Sequence, residues 1–339
     1  MLLEPRRPVI REYRERPLRP NEIKIKSVFS AEKHGTTLVF YRGISPFEEK
    51  YYDPRLGLFI KKKVKRSIYP MPLGNMTVGK VIEVGEKVEK FKVGDRVFGY
   101  LPIREVHIVP EDRVWLAPPE LSNEELVCID PAVVALMAVR EGHIRLGELV
   151  AIFGLGAIGL MAVQMAKLSG ALFIVGIEPI KRRRELAEKY GADITLDPYK
   201  CDIGLEIKKL TSGGVDVSLE ISGSYQALHQ AIRATRYGGR IVPVSWYHGE
   251  ARGLFLGEEF HFNRQVIISG ARVESEPYRE YPLWDRSRVY DTVIELFKKK
   301  VLTVKGLLSP IVRFDEVIEA YKLIDEHPEA VIKLGIRYE

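Results

Sequence analysis

Residues 150–159 read Val150-Ala151-Ile152-Phe153-Gly154-Leu155-Gly156-Ala157-Ile158-Gly159, an apolar run that ends in a glycine-rich turn and is followed by an Ala- and Met-rich helical segment. The first glycine permits a tight turn, the second lets the backbone approach a pyrophosphate, and the third allows close packing of helix on strand. The helix start then offers free N–H groups and a positive dipole end to phosphates. The turn therefore predicts a dinucleotide-binding site at Gly154, Leu155, Gly156, Ala157, Ile158 and Gly159.

An acidic residue stands at the end of the next predicted strand. Glu178 follows Gly159 by 19 residues, and its carboxylate can accept hydrogen bonds from both adenosine ribose hydroxyls but would repel a 2′-phosphate. Lys181 and the three arginines after it can neutralise a 2′-phosphate, although such a run also fits a solvated helical turn. We predict that NAD is the cofactor and that NADP is the less favoured choice. Glu178 and Lys181 are both predicted to belong to the cofactor site.

Apolar strands alternate with helical segments from about residue 123 onward. Strands are predicted at 150–153, 173–177, 194–196, 215–221, 241–244 and 266–268. Between the fourth and fifth, Tyr225, Leu228 and Ile232 share one helical face, and this helix is expected to stop at Gly238 and Gly239. The alternation predicts an α/β fold with a doubly wound parallel sheet.

The flanking regions have a different character. Before residue 122, short strands at 23–29, 77–84 and 96–100 alternate with turns, which predicts a β-rich, barrel-like domain. After about residue 275, helices are predicted at 289–299 and 314–325 and a strand at 331–336. A chain of 339 residues is long enough for two domains. We place them at 1–122 plus 276–339 and at 123–275.

Composition excludes several classes of protein. With 46% apolar and 29% charged residues the chain is typical of a folded globular protein. Two cysteines exclude a four-thiolate zinc site and a disulfide framework, and we expect a cytoplasmic protein. The uncharged run 149–166 contains three glycines and a glutamine, so we read it as a strand entering a helix, with no membrane contact. Only four Asn and four Gln are present, a depletion typical of proteins adapted to heat.

Over its whole length the chain resembles the medium-chain dehydrogenase/reductase superfamily, which contains the zinc alcohol and polyol dehydrogenases and their zinc-free relatives. The motifs that carry the resemblance are HGTTL at 34–38, GNMTVG at 74–79, VGDRV at 93–97, DP at 130–131 and the glycine turn. The resemblance implies a GroES-like β-barrel catalytic domain into which a Rossmann domain is inserted. It also implies a small-molecule substrate and a homo-oligomer, dimer or tetramer.

The catalytic zinc of that family requires a Cys at the position of His34, a His-Glu pair at Asn75 and Met76, and a Cys, Asp or Glu at Asp130. An amide and a thioether are poor zinc ligands, and the four clustered cysteines of the family's structural zinc are absent. We therefore expect no zinc. Segments 30–43, 53–59 and 258–264 look most similar to the zinc-lacking branch that includes bacteriochlorophyllide dehydrogenase.

Without zinc, another group must take the hydroxyl proton during alcohol oxidation. His34 stands at a former ligand position and is predicted to be the general base, with Asp130 orienting its ring. Thr36 matches the hydroxyl that relays protons in the zinc enzymes. The alternative is that His34 only forms a hydrogen bond in the domain core.

Three further residues follow the fifth strand at the carboxyl edge, where nicotinamide and substrate bind in such sheets: Trp246, Tyr247 and His248. Their rings can stack on a sugar or pack at a domain interface. The remaining histidines have no partner at metal-ligand spacing, so we interpret them as structural or surface residues; they are His107, His143, His229, His261 and His327.

These observations predict a NAD-dependent, zinc-independent oxidoreductase that acts on a small alcohol, polyol or sugar-derived carbonyl. An NADPH-dependent enone or quinone reductase is the alternative among enzymes, and Glu178 and His34 argue against it. A non-catalytic dinucleotide-binding or nucleic-acid-binding protein, using the basic run 61–66, is the alternative outside enzymes. Because such a run is usually a solvated loop, we expect no nucleic-acid partner.

Overall fold

The computed structural model describes residues 1–270 and 284–338. Contacts divide the chain into two compact units, Met1–Val127 with Leu308–Glu339 and Cys128–Leu307. The expected boundary at 275/276 lies outside the described residues, but the helix at Arg286–Lys298 belongs to the second unit and not, as expected, to the catalytic domain. Its buried face packs against the helix at Ile129–Glu141, which anchors it there.

The strands are numbered in chain order. They are β1 (Glu22–Ala31), β2 (Lys50–Asp53), β3 (Leu58–Lys61), β4 (Met76–Val84), β5 (Arg96–Gly99), β6 (Val106–Pro110), β7 (Trp115–Leu116), β8 (Leu149–Phe153), β9 (Phe173–Ile177), β10 (Ile194–Leu196), β11 (Val215–Glu220), β12 (Thr235–Pro243), β13 (Val266–Ile267), β14 (Leu308–Arg313) and β15 (Lys333–Arg337).

The helices are numbered in the same way. They are α1 (His34–Tyr41), α2 (Asn123–Val127), α3 (Ile129–Glu141), α4 (Ala157–Leu168), α5 (Lys181–Lys189), α6 (Ile203–Leu210), α7 (Tyr225–Ala234), α8 (Glu259–Phe262), α9 (Arg286–Lys298) and α10 (Val317–Glu326). Short 3₁₀ turns lie at Pro46–Glu48, Glu111–Arg113, Phe314–Glu316 and Pro328–Ala330.

The second unit is built on a parallel sheet in the order β10-β9-β8-β11-β12-β13. The chain runs outward from β8 through β9 to β10, and then from β11 through β12 to β13. The order therefore reverses between β8 and β11, and ligands of such sheets bind at this reversal, beyond the carboxyl ends of the strands. The predicted α/β fold is confirmed, and the six predicted strands agree with the structure except at the beginning of β12.

The helix between β11 and β12 ends earlier than predicted. Helix α7 stops at Ala234 because Thr235 already has an extended backbone, and its hydroxyl bonds to the carbonyl of Ala231. Strand β12 starts at Thr235, and its register on β11 then shifts. Gly238, at φ +68°, lies inside this bulged strand, where its N–H donates to Asn263. The glycines thus shape a bulge and do not end the helix.

The first unit is β-rich, as predicted. Among the described residues its largest sheet has the order β14-β15-β1-β4-β5-β7, with β6 also paired to β1. The pairs along this path are antiparallel except β14 with β15. Side chains such as Ile23, Ile25 and Val97 fill one core. Helix α1 and the β2–β3 hairpin are additions that the sequence pattern did not predict.

The apolar run 149–166 forms β8 and most of α4, as its glycines indicated. Within residues 1–270 and 284–338, no helix combines the length and the apolar character needed to cross a membrane.

Candidate dinucleotide site and catalytic residues

The glycine turn joins β8 to α4 and is held tightly by its neighbours. Gly154 has φ +89°, and a Cβ there would lie 2.8 Å from the backbone nitrogen of Ser222. A Cβ on Gly159 would lie 1.9 Å from the carbonyl oxygen of Gly154. A Cβ on Gly156 meets no atom within 4 Å. Two glycines are therefore required by packing, while the third leaves open space beside the start of α4, where a phosphate can approach.

Glu178 is held directly against this turn. Its side chain is 4% exposed, Oε2 accepts the N–H of Leu155 at 2.9 Å, and Oε1 accepts the N–H of Ile180 at 3.2 Å. The guanidinium of Arg183 lies 3.6 Å from Oε1. Burial lowers the pKa of Arg183, and the neighbouring Glu178 opposes that shift. The carboxylate is thus fixed where an adenosine ribose would meet the turn.

The basic residues after Glu178 differ in what they contact. Arg184 donates to the carbonyls of Glu178 and Pro179 at 2.6 and 2.8 Å and pairs with Asp197 at 3.3 Å. Lys181 is exposed and lies 3.6 Å from Glu185. Arg183 and Arg184 therefore already pair with carboxylates of the chain.

A buried carboxylate that the sequence analysis missed lies across the turn, at the end of β11. Glu220 is fully buried, accepts the N–H groups of Ser222 at 2.8 Å and Gly223 at 3.2 Å, and also accepts the hydroxyls of Ser222 and Tyr247. Burial raises the pKa of Glu220, and these hydrogen bonds oppose the shift. Because Ser222 contacts Gly154, Glu220 supports the wall of the turn. A charged residue ending a buried strand was the available signal.

The three predicted substrate residues that come shortly after β12, namely Trp246, Tyr247 and His248, lie in different environments. The Tyr247 hydroxyl donates to Glu220, its ring packs at a tilt against that of Tyr225 with centroids 5.0 Å apart, and burial raises the pKa of Tyr247. Trp246 and His248 meet edge to face at 4.3 Å, and burial lowers the pKa of His248. Trp246 and His248 thus remain candidates for substrate contact, whereas the Tyr247 hydroxyl is committed to a carboxylate.

His34 begins α1 in the first unit. Its Nε2 accepts the backbone N–H of Leu334 at 3.0 Å, so the lone pair that a neutral imidazole uses as a base is engaged in this hydrogen bond. Thr36 lies two residues further on and is half-buried. This geometry agrees with the structural alternative for His34, and any proton transfer at Nε2 requires that the Leu334 bond open.

The start of α1 rests on a buried polar group that the sequence analysis also missed. Glu32 accepts the N–H of Lys33 at 2.6 Å and the hydroxyls of Thr37 and Tyr321. Burial and the adjacent carboxylate raise the pKa of Tyr321. Lys333, also buried, donates to the Glu32 carbonyl at 2.7 Å. These contacts fix the backbone that carries His34.

Asp130 lies in the second unit, in the first turn of α3, and is 2% exposed. The free N–H groups and positive dipole end of a helix stabilise an anionic side chain at that place. Asp130 can therefore stabilise the start of α3, in addition to its predicted role in catalysis.

The positions that hold zinc in the resembled family do not fit a metal here. Met76 is fully buried within β4, and Asn75 presents an amide whose buried Nδ2 has no hydrogen-bond partner in the described part of the chain. His34 Nε2 is engaged with Leu334. In residues 1–270 and 284–338, the group of three potential ligands that does come together is His229, Glu258 and Glu259. His229 is interpreted from the sequence as a structural or surface residue because it has no partner at metal-ligand spacing there; the fold brings Glu258 and Glu259, which are distant in sequence, close to it.

Comparisons with known proteins agree with this fold. The family described as "Alcohol dehydrogenase GroES-like domain" matches residues 43–111, and "Zinc-binding dehydrogenase" matches residues 157–287. A D-guloside 3-dehydrogenase of Escherichia coli is 39% identical over 98% of both chains. The chain belongs to the medium-chain dehydrogenase/reductase superfamily. The chain is also 32% identical to a (R,R)-butanediol dehydrogenase of Bacillus subtilis, over 74% of this chain and 76% of that enzyme.

A solved structure extends the comparison. The 2R,3R-butanediol dehydrogenase of Bacillus subtilis superimposes with a TM-score of 0.78 and 27% identity, covering 98% of this chain and 97% of that one. The chain is therefore an alcohol dehydrogenase-like oxidoreductase of a family that uses NAD(P). The alternative of a non-catalytic binding protein loses its support.

Proposed function

We propose that this dehydrogenase uses NAD and no catalytic zinc to interconvert a hydroxyl and a carbonyl on a small polyol or sugar-derived substrate. The observation that carries the cofactor assignment is the buried Glu178 carboxylate bonded to the N–H of Leu155. The substrate class is supported by the relative named D-guloside 3-dehydrogenase, with which the chain shares nearly its full length.

NADH should bind at least tenfold more tightly than NADPH. The Glu178 carboxylate can accept ribose hydroxyls but repels a 2′-phosphate, and the nearby Arg183 and Arg184 are already paired with carboxylates. Glu178→Gln removes the charge while keeping an oxygen for the N–H of Leu155, so it should reduce the preference to a few-fold. Calorimetric titration of both cofactors measures the ratio.

The matched control for this test is Glu185→Gln, which removes an exposed carboxylate from the neighbouring helix α5, beside Lys181. It should leave the NADH preference unchanged. Equal or tighter binding of NADPH by the unmutated protein would reject the assignment to NAD.

The reaction requires a hydride and a proton to leave the alcohol separately. NAD held at the glycine turn would supply the acceptor for the hydride. In zinc-containing relatives a metal stabilises the developing alkoxide, but Asn75 and Met76 do not supply its ligands. We assign the proton to His34, with Asp130 orienting the ring and Thr36 relaying to solvent. The Leu334 N–H must release Nε2 when the substrate hydroxyl arrives.

Treatment with a strong chelator should leave kcat unchanged, because the proposed reaction uses no metal. The measurement is turnover on a polyol and sugar panel before and after dialysis against the chelator, with metal content determined in parallel. If kcat falls with removal of a metal at a temperature where the protein remains folded, and returns on adding zinc, then zinc acts in catalysis and the proposal fails.

An enone or quinone reductase is the competing activity, since it also needs no zinc. The same panel, extended with enones and quinones and run with both cofactors, separates the two. Turnover confined to enones with NADPH would favour the reductase.

A further inference from the structure

Three metal-binding side chains meet on the second unit, outside the residues assigned to cofactor or proton transfer. His229 lies on α7, Glu258 directly precedes α8 and Glu259 begins it. One ligand atom from each lies within 4.8 Å of the others, and His229 Nε2 is 3.8 Å from Glu258 Oε2. Histidine and glutamate therefore converge from two elements that are about thirty residues apart.

Two buried atoms of this cluster have no hydrogen-bond partner in the described part of the chain. They are Nδ1 of His229 and Oε2 of Glu259. Phe255 meets the imidazole edge to face at 5.3 Å and covers it. Buried polar atoms are almost always satisfied, so these two atoms are available to a bound ion or to water.

The charges around the cluster favour a cation. The guanidinium of Arg233 lies 3.3 Å from Glu259 Oε1, but it also makes two hydrogen bonds to Asp202, at 2.6 and 2.9 Å. The single guanidinium of Arg233 is thus shared between Asp202 and Glu259, whereas Glu258 lies beside the imidazole of His229. A divalent cation between Glu258 and Glu259 would add positive charge next to two carboxylates.

We propose that His229, Glu258 and Glu259 bind one divalent metal ion, with zinc the ion best matched to one imidazole and two carboxylates. Water completes the coordination. The ion would link α7 to the start of α8. It would thereby restrain the segment between β12 and α8, which contains Tyr247. Its role is to stabilise the second unit, and it does not depend on whether the reaction proceeds without zinc.

The test is calorimetric titration of zinc chloride into chelator-treated, full-length protein. One equivalent should bind, and the melting temperature should rise by about 5–10 °C at zinc a hundredfold above its Kd. His229→Gln and Glu259→Gln should each weaken binding at least tenfold. Glu258→Gln should do the same, and because Glu258 is largely exposed this variant should fold normally.

The matched control is His327→Gln, since His327 also lies 3.2 Å from a glutamate, Glu329, but outside the three-ligand cluster. It should bind zinc as the unmutated protein does. Absence of saturable zinc binding, or binding that survives unchanged in both His229→Gln and Glu258→Gln, overturns the proposal. A kcat that is unaltered by these substitutions separates this site from any catalytic metal.

Discussion

Replacing His34 with Gln should lower kcat for alcohol oxidation by about 10²–10⁴-fold, the usual contribution of a general base, while the Kd for NADH changes little. The unmutated rate should fall at acidic pH, because only a neutral imidazole can accept the hydroxyl proton. That dependence should disappear in His34→Gln. Steady-state kinetics from pH 5 to 9 and NADH titration provide both readouts.

The hydrogen bond from the Leu334 N–H to His34 means that this experiment must separate a loss of catalysis from a loss of stability. Opening one such bond costs on the order of 1 kcal/mol, whereas a 10²–10⁴-fold rate effect corresponds to about 2.7–5.5 kcal/mol. The bond is therefore compatible with catalysis if it opens on substrate binding. The Gln carbonyl can accept the same N–H, so His34→Gln should keep its melting temperature, whereas His34→Ala should lose stability.

Asp130→Asn provides the second half of the test. It should reduce kcat by less than His34→Gln, and it should have little further effect in the His34→Gln background, because both residues serve one proton transfer. If His34→Gln keeps the full rate and pH profile, His34 is structural, and the search for the proton-transfer group moves to His248.

The fold could be predicted because its signals are local. Each strand of the parallel sheet is a short apolar run bounded by turn residues, and β8 with its glycine turn also determines where the helix begins. Prediction failed where distant contacts decide the conformation. Gly238 resembles a helix stop, yet pairing of Thr235 with Val215 starts the strand earlier. Likewise, α9 joined the second unit because of its packing on α3, which no local pattern reveals.

The candidate site could be predicted only where the backbone carries the function. The glycine turn and Glu178 are recognisable from spacing, because the phosphate contacts depend on chain geometry. Glu220 and Glu32 were missed because their importance lies in partners such as Tyr247 and Tyr321, which are 27 and 289 residues away. A charged residue in isolation is more often a surface residue than an anchor, so its role becomes visible only when the fold brings its partners to it.

Substitutions at two of the turn glycines, Gly159 and Gly156, should have effects that differ in kind. Gly159→Ala places a methyl group 1.9 Å from the Gly154 carbonyl oxygen, so the turn must shift. We expect a loss of about 1–3 kcal/mol in the free energy of unfolding, typical of overpacking, together with loss of measurable NADH binding. Urea unfolding and NADH titration of the purified variant measure these two quantities separately.

Gly156→Ala is the matched control, because its Cβ meets no protein atom within 4 Å. The free energy of unfolding should fall by no more than about 1 kcal/mol, because Gly156 is the N-cap of α4 at φ −72°, a backbone conformation that Ala also adopts, and Ala is only somewhat less favourable than Gly at an N-cap. NADH affinity should nevertheless fall roughly 10- to 100-fold, since a methyl group would hold the pyrophosphate away from N–H groups whose charge-assisted hydrogen bonds contribute about 1.5–3 kcal/mol each. Unchanged NADH affinity in Gly156→Ala would mean that the pyrophosphate does not approach this turn, and the assignment of the dinucleotide site would then fail regardless of the result at Gly159.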